Sequence, residues 1–209
     1  RVLLIQAPGG IHAARVGING RYSYEPDYTS WFLGTRGELE LLQKNLVLGA
    51  YLGAGRDQIS NAGAQGPFVP AVEGDLSTVL LSASATQLLG PQGLVSLTYD
   101  FARASGFLEN PYRQVFTDDG PVAERHPNRR ARHAFAASTR RYLPKTHTAL
   151  IASYRFYLDD WDIMGHTPEL RVVQAASDTV EFAARYRFHW QSEADFYADR
   201  YMTSDPAVQ

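Results

Sequence analysis

Carboxylates gather in one stretch of this chain, Asp159-Asp160-Trp161-Asp162, with His166 close behind. Oxygen ligands so spaced can hold a hard cation such as calcium, but the glycine-punctuated loop that calcium sites use is missing. A solvated loop tip is the simpler reading. The six histidines, at 12, 126, 133, 147, 166 and 189, form no H-E-x-x-H or i, i+4 pair that would argue for zinc. Ser138 and His147 stand at a spacing that a hairpin brings near, yet such a pair arises by chance in any β-sheet and no nucleophile elbow is present. Glycines at 49, 53 and 55 precede no helix, so they speak for bending strands rather than for a phosphate cradle. Asp195 and Asp199 alternate with Tyr197 and Tyr201, which suits a polar rim more than a carbohydrate-contacting face. The reading is therefore of a protein that is not an enzyme, with no cofactor and no metal site.

Arginine offers the richer pattern. Arg15, Arg21, Arg36, Arg132, Arg140, Arg155, Arg171, Arg185 and Arg187 alternate with apolar residues, and so do Glu38, Glu40, Asp100, Asp159, Glu169 and Glu181. On a confined surface these charges either select solutes by their field or pair into a network that stiffens a narrow interior. The packed network is the preferred alternative. Arg155, Arg171 and Arg185 fall on three consecutive expected strands, with Asp159, Glu169 and Glu181 near them. Cross-strand Arg–carboxylate pairs are expected there.

Long strands must position these groups. Over 179–191, Val180, Phe182, Ala184, Tyr186, Phe188 and Trp190 alternate with Glu181, Arg185, Arg187 and His189. Only a period of two separates those sets. Over 147–159, Leu150, Ala152, Tyr154, Phe156 and Leu158 share a face, although Ile151 breaks the pattern. Other strands are expected over 15–24, 28–41, 46–57, 76–89, 94–103, 132–143, 167–174 and 193–201. Most exceed the five or six residues of an ordinary globular strand. Short turns near 43–45, 90–93, 144–145 and 176–177 alternate with longer loops at 59–74, 106–130 and 160–166. The 106–130 loop carries a dense basic return, from Glu124 to His133. It can plug an interior, bind lipopolysaccharide phosphates, or pair locally with Glu109, Asp118, Asp119 and Glu124.

Composition narrows the class. The chain has 209 residues, a formal net charge of −2 and no cysteine. That excludes a strongly basic nucleic-acid binder, thiolate metal centres and a disulfide framework. No apolar run is long enough for a transmembrane helix, which leaves membrane β-barrels open. Strand length, the Gly/Ser/Thr-and-Arg character of the polar faces, and aromatics near strand ends (Tyr22, Tyr24, Trp31, Phe188, Trp190) favour a membrane barrel over a soluble lipocalin-like one. Lys44 and Lys145, the only lysines, fall in short turns.

Several stretches resemble one bacterial family, that of domain of unknown function 3570. They are Gly106-Phe-Leu-Glu-Asn-Pro-Tyr-Arg113, Arg125-His-Pro-Asn-Arg-Arg130, the run from Ser153 through Asp159-Asp-Trp-Asp162 to Thr167, and Gln191-Ser-Glu-Ala-Asp-Phe-Tyr197. The resemblance implies a Gram-negative outer-membrane barrel with no catalytic residues to carry over. It also implies an envelope setting shared with a small lipoprotein, a thioredoxin-like protein and a flavin transferase.

The expected fold is all-β: one antiparallel transmembrane β-barrel domain over 1–209, about ten strands of a 10–14-stranded barrel. The interior network would comprise Arg36, Glu38, Asp100, Arg140, Arg155, Asp159, Glu169, Arg171, Glu181, Arg185 and Arg187. Leu150, Tyr154, Phe156, Phe182, Tyr186 and Phe188 would face lipid. The expected role is a porin-like scaffold for envelope proteins, or a narrow, weakly anion-preferring channel; an outer-membrane enzyme is the remaining class. Partners would be outer-membrane lipid, lipopolysaccharide and envelope proteins such as a small lipoprotein, not nucleic acid. Because the chain opens on Arg1-Val-Leu-Leu-Ile and ends on Ser204-Asp-Pro-Ala-Val-Gln209, it is expected to be trimmed and not to close the barrel alone.

Overall fold

Period-two patterning produces one long-stranded sheet. The structure, a computed structural model, describes residues 2–5, 11–60, 73–198 and 200–202. Its strands are β1 (Val2–Ile5), β2 (Ile11–Glu25), β3 (Tyr28–Leu41), β4 (Leu46–Ser60), β5 (Glu73–Leu88), β6 (Gly93–Gly106), β7 (Gln114–Thr117), β8 (Gly120–Ala123), β9 (Arg129–Leu143), β10 (Thr148–Asp159), β11 (Met164–Ala175), β12 (Glu181–Arg187) and β13 (Trp190–Gln191). All but β7 and β8 join one antiparallel sheet in the order β1-β2-β3-β4-β5-β6-β9-β10-β11-β12, with β13 also on β11. Among the described residues there is no α-helix, and the sheet is open. β2 pairs with β1 and β3, not with the 193–201 segment.

The eight main strands, β2 to β6 and β9 to β11, run 12 to 16 residues each. Connections follow the expected alternation only in part. Tight turns after β3, β5, β9 and β11 lie at one end of the sheet, here the turn end. The two long connections, after β4 and β6, lie at the other, the loop end, together with the short β2–β3 and β10–β11 turns; the loop expected over 160–166 is corrected, because β11 already starts at Met164. Of the expected loop at 59–74, residues 61–72 lie outside the described residues, and the flanking positions belong to β4 and β5.

Three local expectations are corrected. Residues 193–201 form no strand. Asp195 sits in a turn, its N–H donating to the carbonyl of Trp161 (3.0 Å), and the β pairing of Tyr201 is an isolated parallel bridge to Thr117. Asp199 lies outside the described residues. The 106–130 loop is not irregular throughout, because β7 and β8 form a hairpin inside it. The strand expected over 179–191 keeps one register along β11 but its ladder breaks between β12 and β13. Opposite the break stands Pro168, which has no N–H to give.

Burial across this sheet is inverted relative to a water-soluble domain. Tyr186 is 71% exposed, Phe182 64%, Trp31 62% and Leu97 56%. The buried hydrophobics are only Ala104, Ala134, Trp161 and Ile163 among the described residues. Strand residues Ser30, Glu40, Asp159 and Thr167, all on the polar face, are buried instead. A single sheet shields one face only by curling around it or folding loops over it. Here the buried strand residues named above lie on the polar face, while Arg36, Asp100, Arg140, Arg155, Arg171 and Arg185 of the same face are exposed. Total exposed area is 14514 Å², where a compact chain of 23.2 kDa exposes about 9,700 Å².

Candidate functional site

The register places every residue of the expected charge network on one face. Arg36 opposes Gly17 and Tyr51, Glu38 opposes Arg15, and Asp100 opposes Ser82 and Ala134. Arg140, Arg155, Asp159, Glu169, Arg171, Glu181, Arg185 and Arg187 continue the same face across β9 to β12. The opposite face carries Leu150, Tyr154, Phe156, Phe182 and Tyr186. Phe188 extends it beyond β12, its N–H donating to the carbonyl of Pro168 (3.1 Å).

Small residues make room on the polar face. A Cβ added at Gly53 would meet the ring tip of Phe32 at 2.5 Å and the Tyr51 hydroxyl at 3.0 Å. Gly34 lies under the same Tyr51 hydroxyl, and Gly49 under the Ser84 hydroxyl. These glycines are recesses for neighbouring side chains. β4 runs through 49, 53 and 55 without interruption.

Charge is unevenly spread over this face. On β2 to β6, Arg15, Arg21 and Arg36 face Glu25, Glu38, Glu40, Asp57 and Asp100, and Arg15 forks between Glu38 and Glu40 (2.5 Å to the latter). On β9 to β12, arginines outnumber carboxylates. Arg185 grips Glu169 with two parallel bonds of 2.9 and 2.6 Å, a cross-strand pair of the expected kind. Asp159 behaves otherwise. It and Arg155 lie on one strand four residues apart, about 13 Å, too far to pair. Asp159 is held instead by Arg130 of β9, and the Arg155 guanidinium lies 5.5 Å from the Tyr157 ring. Glu181 opposes Ala175 at the far end of β12.

At the loop end a knot forms around Asp159. Its Oδ2 accepts bonds from Arg130 Nε (2.9 Å), Arg130 Nη2 (2.6 Å) and the Tyr157 hydroxyl (2.6 Å). Its Oδ1 accepts from the N–H groups of Trp161 (3.0 Å) and Ile163 (3.1 Å). Asp160 Oδ1 caps the Ala131 N–H at 2.9 Å. Asp159 thus fixes the β10–β11 turn, and Asp160 ties it to β9. Arg130 stacks over Trp161 (4.1 Å), and His126 and Phe196 pack on the same indole, each at 5.2 Å. The sequence placed His126 and Arg130 in the basic return of the 106–130 loop but did not join them, or Phe196, to Asp159. The tight turn after β9 does fix the hairpin register and sets Arg132 opposite Asp159, which already points to β9 as the partner strand.

The long loops are tied to one another. The Tyr112 hydroxyl donates to Asp27 in the β2–β3 turn, and this hydrogen bond holds the phenol above its ordinary pKa. Gly106 ends β6 at φ 119°, where any side chain would run into the Asp75 carbonyl. Ser138 and His147 are not brought together: Ser138 faces Ser96 and Ser153, while His147 sits in the β9–β10 turn near the Tyr142 hydroxyl (3.4 Å).

One antiparallel sheet with an exposed apolar face, an arginine-rich polar face and interlocked loops at one end defines the class: an all-β protein with few buried hydrophobic residues among those described. The chain belongs to the family described as "Protein of unknown function (DUF3570)", whose profile matches residues 10–208. No curated protein and no solved structure matches the chain.

Proposed function

We propose that this chain is an integral outer-membrane β-barrel of a Gram-negative envelope, acting as a non-enzymatic scaffold for envelope proteins. The inverted burial carries the reading. Leaving a large apolar side chain in water forgoes about 1.5–3 kcal/mol. A dozen of them forgo about 20–35 kcal/mol, more than the ~5–15 kcal/mol that keeps a typical domain folded. Lipid removes that penalty. On β9 this face runs uncharged from Ala131 to Thr139, between Arg129 and Arg141, and on β6 from Gly93 to Phe101 before Arg103, nine residues each. Such heights fit the ~9–11 residues of a tilted membrane strand. Tyr22 and Trp31 stack at 4.3 Å near the loop end, where an interfacial aromatic girdle belongs. In hydrocarbon the free edges of β1 and β12 need further β structure beside them, from this protein or another.

A second reading, a narrow anion-preferring channel, draws on the arginine excess across β9 to β12. Scaffolding is preferred because ion pairs and aromatic rings crowd the polar face.

Single-tryptophan variants reconstituted in vesicles with bromine-labelled acyl chains test the membrane reading. Fluorescence of Trp31 and Trp190, on the apolar face, should be quenched, and that of Trp161, buried in the loop knot, should survive. A protein that stays dispersed in water without detergent and shows no quenching would sink it. Planar-bilayer conductance then separates the roles: a scaffold conducts little, a porin strongly.

A further inference from the structure

One row of the sheet sets positive charges against each other. Arg171 of β11 lies directly opposite Arg185 of β12, and Arg140 lies in the same row two strands away, with Ile151 between. Like charges directly opposite across strands are destabilising. Arg185 is neutralised by its two bonds to Glu169. Arg140, Arg155, Arg171 and Arg187 make no ion pair among the described residues, although Glu169, gripped by Arg185, also lies in the field of Arg171 and Arg187. The next row toward the loop end is Ser138, Ser153, Glu169 and Arg187, and Arg155 stands on the same face just beyond Ser153. Two facing hydroxyls are therefore ringed by Arg140, Arg155 and Arg171.

We infer that the polar face of β9 to β12 binds a small oxyanion carrying at least two negative charges, seated over Ser138 and Ser153 and held by Arg140, Arg155 and Arg171. Guanidinium forks match the paired oxygens of phosphate and carboxylate groups. A doubly charged anion removes the repulsion between the unpaired arginines, and the serine hydroxyls donate to its remaining oxygens. A monoanion leaves most of the excess charge in place. The site needs only the sheet and its register, so it stands or falls separately from the membrane reading.

Calorimetric titration of the full chain, folded in detergent, with pyrophosphate and with citrate tests this. Chloride at the same ionic strength is the control. Saturable binding of either oxyanion, absent with chloride, is the expected result, and whichever binds tighter identifies the group recognised. Arg171→Gln and Arg155→Gln should each weaken it roughly tenfold. Arg36→Gln, on the same face but on β3, should leave it unchanged. Arg171→Gln should also melt at a higher temperature than the parent in anion-free buffer, because a repulsion is gone, and gain less on adding the oxyanion. No saturable binding of either oxyanion would overturn the site, as would an equal loss in Arg36→Gln.

Discussion

Arg130 and Asp159 meet across β9 and β10 through two bonds from one guanidinium to one carboxylate oxygen, at 2.9 and 2.6 Å, and the Asp159 side chain is wholly buried. The aspartate bridges strand and turn: Arg130 and Tyr157 hold one oxygen, and the N–H groups of Trp161 and Ile163 hold the other. Replacing it leaves a largely buried guanidinium and two turn N–H groups without an acceptor. Asp159→Ala should therefore lose about 3 kcal/mol of stability in chemical denaturation. Tyr157→Phe removes the bond donated to Asp159 and the longer one (3.4 Å) accepted from Arg130, and should cost about 1 kcal/mol. Equal effects from the two would contradict this account of the knot.

The apolar face makes its own prediction. Leu97 stands on that face at mid-strand, while its neighbour Thr98 points to the polar face between Ser84 and Ala136. If lipid covers the apolar face, Leu97→Arg should cost about 2–4 kcal/mol on refolding into bilayers. Thr98→Arg should cost clearly less. At an ordinary exposed site in water, the Leu97 exchange would fall within about 0.5 kcal/mol, so the size of the loss reports what covers that face.

Glycines on the two faces should respond in opposite ways. Gly53→Ala drives a methyl into Phe32 and Tyr51, two rings that already share the recess, and should cost about 1–3 kcal/mol. Gly37, on the apolar face, has open space where a Cβ would go. Gly37→Ala should be neutral or slightly stabilising. Thermal melts of the two variants decide the point.

The tie between Tyr112 and Asp27 has a pH dependence with a definite sign. The Asp27 hydrogen bond, the largest cause, raises the Tyr112 pKa, with burial next. A raised pKa means the folded state holds that proton more tightly, so the tie contributes fully below the ordinary tyrosine range, near 10, and is lost as pH rises through the folded value. In an ultraviolet titration, Tyr112 should be among the phenols that ionise later than an ordinary tyrosine, and Asp27→Asn should return one phenol to the ordinary range. Tyr112→Phe should shrink the late step by one phenol.

Sequence periodicity alone settled that these strands exist and which way each side chain points. Alternation of Phe182, Ala184 and Tyr186 with arginines at 185 and 187 survives even on a sheet edge, because strand geometry is local and admits only two directions. Chain order and tight turns fixed which strands are neighbours, since a short antiparallel connection leaves no other pairing. The tertiary structure decided what the pattern could not: which charge meets which. Glu169 takes Arg185 rather than Arg187, which stands directly opposite it in the ladder. Asp159 takes Arg130 from a neighbouring strand. Those choices depend on side-chain reach between rows and on a loop that carries His126 back onto Trp161. The 193–201 segment failed as a strand for the same reason. Its alternation is genuine, but the chain leaves the β11 ladder after Gln191 and spends its hydrogen bonds on the loop end, including Asp195 to Trp161. Period two specifies a strand only where a neighbouring ladder accepts its backbone.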